Sequence, residues 1–397
     1  MLNPRIPPEI LDHVVDLLHD NPKTLKKCCL VSKSWIPRTR THLFAKVGLP
    51  TNKELKSWKK TFQDPLTTPA YYTKTLFIGC AHLVTLADCE AGGWLRGFSR
   101  VVWLWVGTQG FDHRVRAVFA PFHGLSPVVK TLRMAFPSSF YPSQIFDLAL
   151  SFPILEDLAV SNFSGLSDKW NNPNSLLPVI KHPSPFTGSL DIFLMGGIGP
   201  IADRLLSLPG GIHFRKFALR WYRERDPLST TELVERCFRT IESLDIASYL
   251  SGFVRYGTCN DNLLLFLATF EPASIDISKA VRLRDVIFRP TTLNVEWITT
   301  ALRAITPQHR DLRQITIYVP YSLTLLGSDN DVRENIGEAI FVHWSDLDRL
   351  LTQFWERSIL PKVILTAPRE YPQIRISCVE SLLPEMTPMR RMIDPVE

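Results

Sequence analysis

Thr131-Leu132-Arg133-Met134, then Ser143-Gln144-Ile145-Phe146-Asp147-Leu148-Ala149-Leu150, then Phe152-Pro153-Ile154-Leu155-Glu156-Asp157-Leu158-Ala159-Val160 follow one another along the chain, and the apolar rhythm changes at each step. Leu132 and Met134 stand two apart, the spacing of a strand that buries one face. Residues 143–150 bring Ile145, Phe146 and Ala149 to helical spacing, so a short amphipathic helix is expected there. Pro153 falls between, and Leu158 and Val160 return to strand alternation.

The strand pattern recurs on both sides of this stretch. It is found in Thr75–Ile78, Val101–Leu104, Asp157–Val160, Ser189–Ile192, Lys216–Leu219, Ser243–Ile246, Asp285–Phe288 and Gln314–Ile317. Aligned on the second residue of each strand, an apolar one throughout and Val102 in Val101–Leu104, the steps are 26, 30, 26, 32, 27, 27, 42 and 29 residues. Six of these eight lie between 26 and 30, which is too regular for an ordinary mixed sheet. Helices are expected again at Ile201–Leu208, which runs into Pro209-Gly210-Gly211, at Thr230–Phe238 and at Glu296–Ile305. One strand and one helix per unit at this period resembles the longer leucine-rich repeats, and in particular the degenerate ones behind fungal F-boxes. The resemblance implies a solenoid with a parallel sheet on its concave side. An asparagine ladder is missing, so the repeats are irregular. The 42-residue step holds an insertion around 251–273, and a helix over Trp344–Arg357 with a strand over Lys362–Thr366 is expected to cap the stack.

The N-terminal stretch has a different grammar. Pro7 and Pro8 suit a first helical turn, and Glu9 suits the positive end of the helix dipole. Ile10, Leu11, Val14, Leu17 and Leu18 form one apolar face. Asn21-Pro22 reads as a cap and first turn of a second helix, and Pro37 begins a third that runs to Phe44. Ile-Pro-Pro-Glu-Ile-Leu at 6–11, Cys-Leu-Val-Ser-Lys-Ser-Trp at 29–35 and Leu-Phe at 43–44 resemble the F-box, in its order and spacing. The departures are Ile6 in place of the commoner leucine and a short polar link at His19–Lys23. The F-box resemblance implies docking onto the Skp-type adaptor of a Skp–cullin–F-box ubiquitin ligase. Carried over by position, the adaptor-facing residues are Ile6, Pro7, Ile10, Leu11, Leu30, Val31 and Trp35. The competing reading makes these residues a hydrophobic lid on the following domain. Burial of Ile6, Pro7, Ile10 and Leu30 against residues 60–110 separates the two.

The expected fold is therefore α/β. A helical F-box-like domain at 1–48 and a linker at 49–70 precede a repeat solenoid with a C-terminal cap at 71–397. A chain of 397 residues with 45% apolar, 11% aromatic and 21% charged residues suits ordered globular domains, and 30 prolines point to many loops. The net charge of +6 is local: residues 1–60 hold 12 Lys+Arg against 5 Asp+Glu, and the remainder is near balance. Lys23, Lys26, Lys27 and Lys33 lack interleaved aromatics, which argues for a solvated face matched to an acidic adaptor rather than for nucleic acid.

Seven cysteines without a Cys-x-x-Cys pair give no zinc or redox motif. They suit reduced thiols in the cytoplasm or nucleus. Residues 1–15 lack the features of a signal peptide, and no apolar run approaches the length of a membrane span. Gly196-Gly197-Ile198-Gly199 lacks the Lys-Ser/Thr ending of a phosphate loop. No catalytic residue, metal ligand or cofactor is assigned, and the chain is not expected to be an enzyme. For the target, Arg220, Tyr222 and Arg223 are the candidates, just after a repeat strand. Trp103 and Trp105 share one face of theirs, so both are buried or both are open. The expected role is substrate recognition in the ligase, with a repeat scaffold outside any ligase as the alternative.

Overall fold

Alternating apolar side chains become parallel strands, one per repeat. The computed structural model describes residues 7–62, 68–108, 119–136, 142–162, 187–194, 199–208, 211–221, 227–248, 276–290, 295–318, 338–356 and 363–366. These fall into two units, one up to residue 162 and one from residue 187.

The first unit opens with helices α1 (Pro8–Leu17), α2 (Pro22–Val31) and α3 (Ile36–Leu43). Asn21 caps α2 as expected, its side chain accepting from the Thr24 N–H at 3.1 Å. Strands β1 (Lys46–Leu49), β2 (Thr75–Ile78), β3 (Trp103–Gly107), β4 (Thr131–Phe136) and β5 (Asp157–Asn162) follow. They pair in parallel and in sequence order. Val47, Leu76, Leu104, Leu132 and Leu158 lie in one register row, all buried. The steps along that row are 29, 28, 28 and 26 residues, so the repeat is more even than the sequence alignment gave. The sequence had taken Val102 as the first inward residue of its strand. In the structure that residue is Leu104, and the Val102 carbonyl serves a different purpose.

That carbonyl accepts two N–H groups from the next repeat, Lys130 at 2.8 Å and Thr131 at 3.1 Å. The same clamp recurs at Ala45, Lys74 and Lys130, and in the second unit at Gly188, Arg215, Glu242 and Arg284. A carbonyl has two lone pairs, so one backbone position per repeat satisfies two donors of its neighbour. It locks each strand start to the one before, a job for which no asparagine side chain is required.

Two differences from the sequence reading concern the first repeat. The boundary expected at residue 48 falls inside β1, and the expected linker 49–70 contains helix α4 (Asn52–Thr61). Thr51 and Glu54 form a reciprocal capping box at its start. β1 is only four residues long, with Gly48 in it and Pro50 after it, so its alternation is brief. The other difference is the crossover from β2 to β3. It is made of short 3₁₀ turns, including Trp94–Phe98, rather than a helix. Gly92, in the turn before Trp94–Phe98, has a positive φ of 91°, which suits glycine. The crossover to β5 is the expected helix, α5 (Pro142–Leu150).

The second unit repeats the plan with β6 (Ser189–Leu194), α6 (Gly199–Leu206), β7 (Lys216–Trp221), α7 (Pro227–Cys237), β8 (Ser243–Ser248), β9 (Asp285–Pro290), α8 (Glu296–Arg303), β10 (Gln314–Tyr318), α9 (Glu338–Glu356) and β11 (Val363–Thr366). β6 to β11 are parallel and in order, with Leu190, Phe217, Leu244, Val286, Ile315 and Val363 in one row. The expected terminal helix and strand are α9 and β11. The insertion expected around 251–273 lies outside the described residues.

Candidate interaction surfaces

α1 and α2 turn only part of their apolar faces inward. Val15, Leu25 and Cys28 are buried, whereas Ile10, Val14, Leu17, Leu30 and Val31 are exposed. Leu30 is 89% exposed and Val31 68%, at the end of α2. Among the expected adaptor residues, Pro7 and Ile10 also face solvent, and Leu11 and Trp35 are half-buried. Ile6 lies outside the described residues. Pro7, Ile10 and Leu30 are thus not covered by the following repeat. These five exposed apolar side chains make the helical unit a candidate interaction surface.

A polar network that the sequence reading missed ties α1 to α3. Asp16 on α1 accepts from Arg38 on α3, Nε at 2.6 Å and Nη2 at 2.5 Å, and lies 2.7 Å from His42 Nε2. Arg38 and His42 are four apart on one helix face, and that spacing was its only advance sign. Hydrogen bonds from Arg38 and then His42 hold the Asp16 carboxyl well below the ordinary carboxylate range. A depressed carboxylate contributes stability above its unfolded pKa and loses it as pH falls through the folded one. Asp16→Ala is therefore expected to speed amide exchange in residues 8–17 and 36–43 at neutral pH. Acidification below about pH 4 should loosen the same helices in the parent protein and change the variant little. Hydrogen exchange followed by mass spectrometry reads both effects. High salt should shrink the difference, because the group is solvent-accessible.

On the sheet of the first unit, residues alternate with the buried row and form an open face. Phe77 and Trp105 are register partners whose rings stack at 3.9 Å between centroids and 11° between planes. Trp103 and Trp105 are both half-exposed on this face, which decides between the two alternatives the sequence left. Gly107 permits the placement of Trp105, since a Cβ there would lie 2.2 Å from the indole. Arg133, the register partner of Trp105 on β4, is exposed and its guanidinium is 5.8 Å from the Trp103 ring centre. Phe77 and Arg133 were not singled out from the sequence, although both occupy outward positions of strands that were.

The second unit carries a more polar face. Arg289 Nε on β9 donates to Asp245 Oδ1 at 2.8 Å and Oδ2 at 3.1 Å, and its guanidinium stacks on Tyr318 at 3.9 Å. Of the expected target residues, Arg220 is in β7, in register with Phe193 and Ala247. Tyr222 and Arg223 lie outside the described residues. Among the described residues no group of three or more His, Cys, Asp or Glu is placed to hold a metal ion. No described helix is long and apolar enough to cross a membrane.

The leucine-rich repeat-containing protein LegL7 from Legionella pneumophila is similar at 12% identity and a TM-score of 0.38, over 86% of this chain and 97% of that chain. A scan against protein-family models gives no match, and a search of curated proteins gives none. The parallel register and the carbonyl clamp, rather than that distant similarity, identify the strand-and-crossover repeats.

Proposed function

We propose that this chain is a non-catalytic substrate-recognition subunit of a Skp–cullin–F-box type ligase. In this reading α1 to α3 dock a Skp-type adaptor, which links them to a cullin, and the open faces of the repeats hold a target protein. The setting is cytoplasmic or nuclear, where thiols stay reduced. The observation that carries the reading is the exposure of Ile10, Val14, Leu17, Leu30 and Val31 on one small helical unit. The F-box resemblance of residues 6–44 names the partner class, and Lys23, Lys26, Lys27 and Lys33 are exposed on the same helical unit. Opposite charge on the adaptor would steer the encounter.

The test is to mix the purified full chain with a Skp-type adaptor and separate the mixture by gel filtration. A single co-eluting species with a Kd below about 1 μM is expected. Separate elution at micromolar concentrations overturns the ligase reading and leaves a repeat scaffold for other partners.

A further inference from the structure

The open face of the first unit has an aromatic row that stops short. Gly48, Phe77, Trp105 and Arg133 lie side by side on β1, β2, β3 and β4. One face of the Phe77 ring is covered by Trp105. On its other side runs β1, where Gly48 brings no side chain. A Cβ added at Gly48 would meet nothing nearer than the Pro50 Cδ at 3.9 Å. Among the described residues, the position beside Phe77 is therefore open where a side chain on β1 would begin.

Two cations and one carboxylate stand around this row. Lys46, two residues before Gly48 and on the same face of β1, is exposed, as is Arg133 at the far end of the row. The acid on the adjoining row is Asp157, whose Oδ2 lies 3.3 Å from the Thr131 hydroxyl that donates to it. Two cations flanking stacked aromatics favour a ligand with carboxylates and a ring. Single-stranded nucleic acid also stacks on aromatics, but it needs a run of cations tracking its phosphates, and this strip offers two, beside an aspartate.

We infer that the open face of β1 to β4 binds an extended acidic segment of a partner protein, with an aromatic side chain laid on Phe77 over Gly48. The inference rests on the reading of the repeats as the target-binding part. Its test uses no adaptor, so a failed adaptor complex leaves it standing.

The probe is a random poly(Glu,Tyr) copolymer titrated into the full chain, with tryptophan fluorescence as the signal, since Trp105 stacks on Phe77, the ring beside the space. Binding at least about tenfold tighter than that of poly-Glu is expected, because an added aromatic pair contributes beyond charge. Gly48→Leu fills the space without a backbone collision and should weaken poly(Glu,Tyr) binding about tenfold at an unchanged melting temperature. Phe77→Leu keeps an apolar side chain but loses the ring, and should give a similar loss. Arg133→Glu should weaken poly-Glu and poly(Glu,Tyr) alike. No binding of poly(Glu,Tyr), equal binding of poly-Glu, or unchanged affinity in both Gly48→Leu and Phe77→Leu overturns the inference. Tighter binding of oligouridylate than of poly(Glu,Tyr) overturns it in favour of nucleic acid.

Discussion

Replacing Leu30 and Val31 together by aspartate is expected to abolish binding to a Skp-type adaptor while leaving the fold intact. Both side chains are exposed at the end of α2, so neither is part of the core that Leu25 and Cys28 form from the same helix. Exposed substitutions of this kind change stability by about 0.5 kcal/mol or less. The effect on binding should be far larger. Fully burying one aliphatic side chain at an interface contributes about 1.5–3 kcal/mol, and an aspartate in its place adds the penalty of desolvating a charge. Two such changes predict a loss of at least about 3 kcal/mol, roughly a hundredfold or more in Kd. The measurement pairs a binding titration with a thermal melt. A variant that binds as before while melting as before would show that α2 does not meet the adaptor, whatever α1 does. Leu11→Asp with Trp35→Ala is a poorer probe, since both residues are half-buried and the helices would be weakened at the same time.

The repeat strands were legible because alternation is a local property. Leu132 and Met134, or Leu158 and Val160, announce an inward face without any knowledge of a neighbour. The phase of β3 was not legible. Val101, Val102, Trp103, Leu104, Trp105 and Val106 are apolar at every position, so both faces satisfy the pattern and the register with Leu76 decides. β1 escaped because four residues containing a glycine give too little alternation to read. Helix caps were readable where side chain and backbone lie within three residues, as at Asn21 and Thr24. The Asp16 network was not, because it joins α1 to α3 across more than twenty positions. On the candidate surfaces, the N-terminal apolar residues were found through the motif. Phe77, Gly48 and Arg133 become neighbours only through strand pairing, which sequence spacing does not display.

The in-and-out assignment of the first sheet is itself open to test by a pair of truncations on adjacent strands. Leu104→Ala is expected to lower the unfolding free energy of the full chain by about 2–5 kcal/mol. Leu104 is fully buried and lies in register between Leu76 and Leu132, which are buried as well. The void left by truncation cannot close easily. The strand starts on either side are fixed by the Lys74 and Val102 carbonyls, each accepting two N–H groups from the next repeat. In repeat arrays each unit depends on its neighbours, so a defect here weakens two interfaces at once. Phe77→Ala removes a larger side chain from the open face. It sacrifices the stack on Trp105, an interaction of about 0.5–1.5 kcal/mol, and less burial than Leu104, since the ring is partly exposed. Size alone would make the phenylalanine the worse loss; burial makes it the leucine. Urea unfolding followed by circular dichroism should therefore show Leu104→Ala as the more damaging by at least about twofold in free energy. The opposite order would mean that the aromatic row faces the core, and that the surface assigned to a partner is part of the protein's own interior.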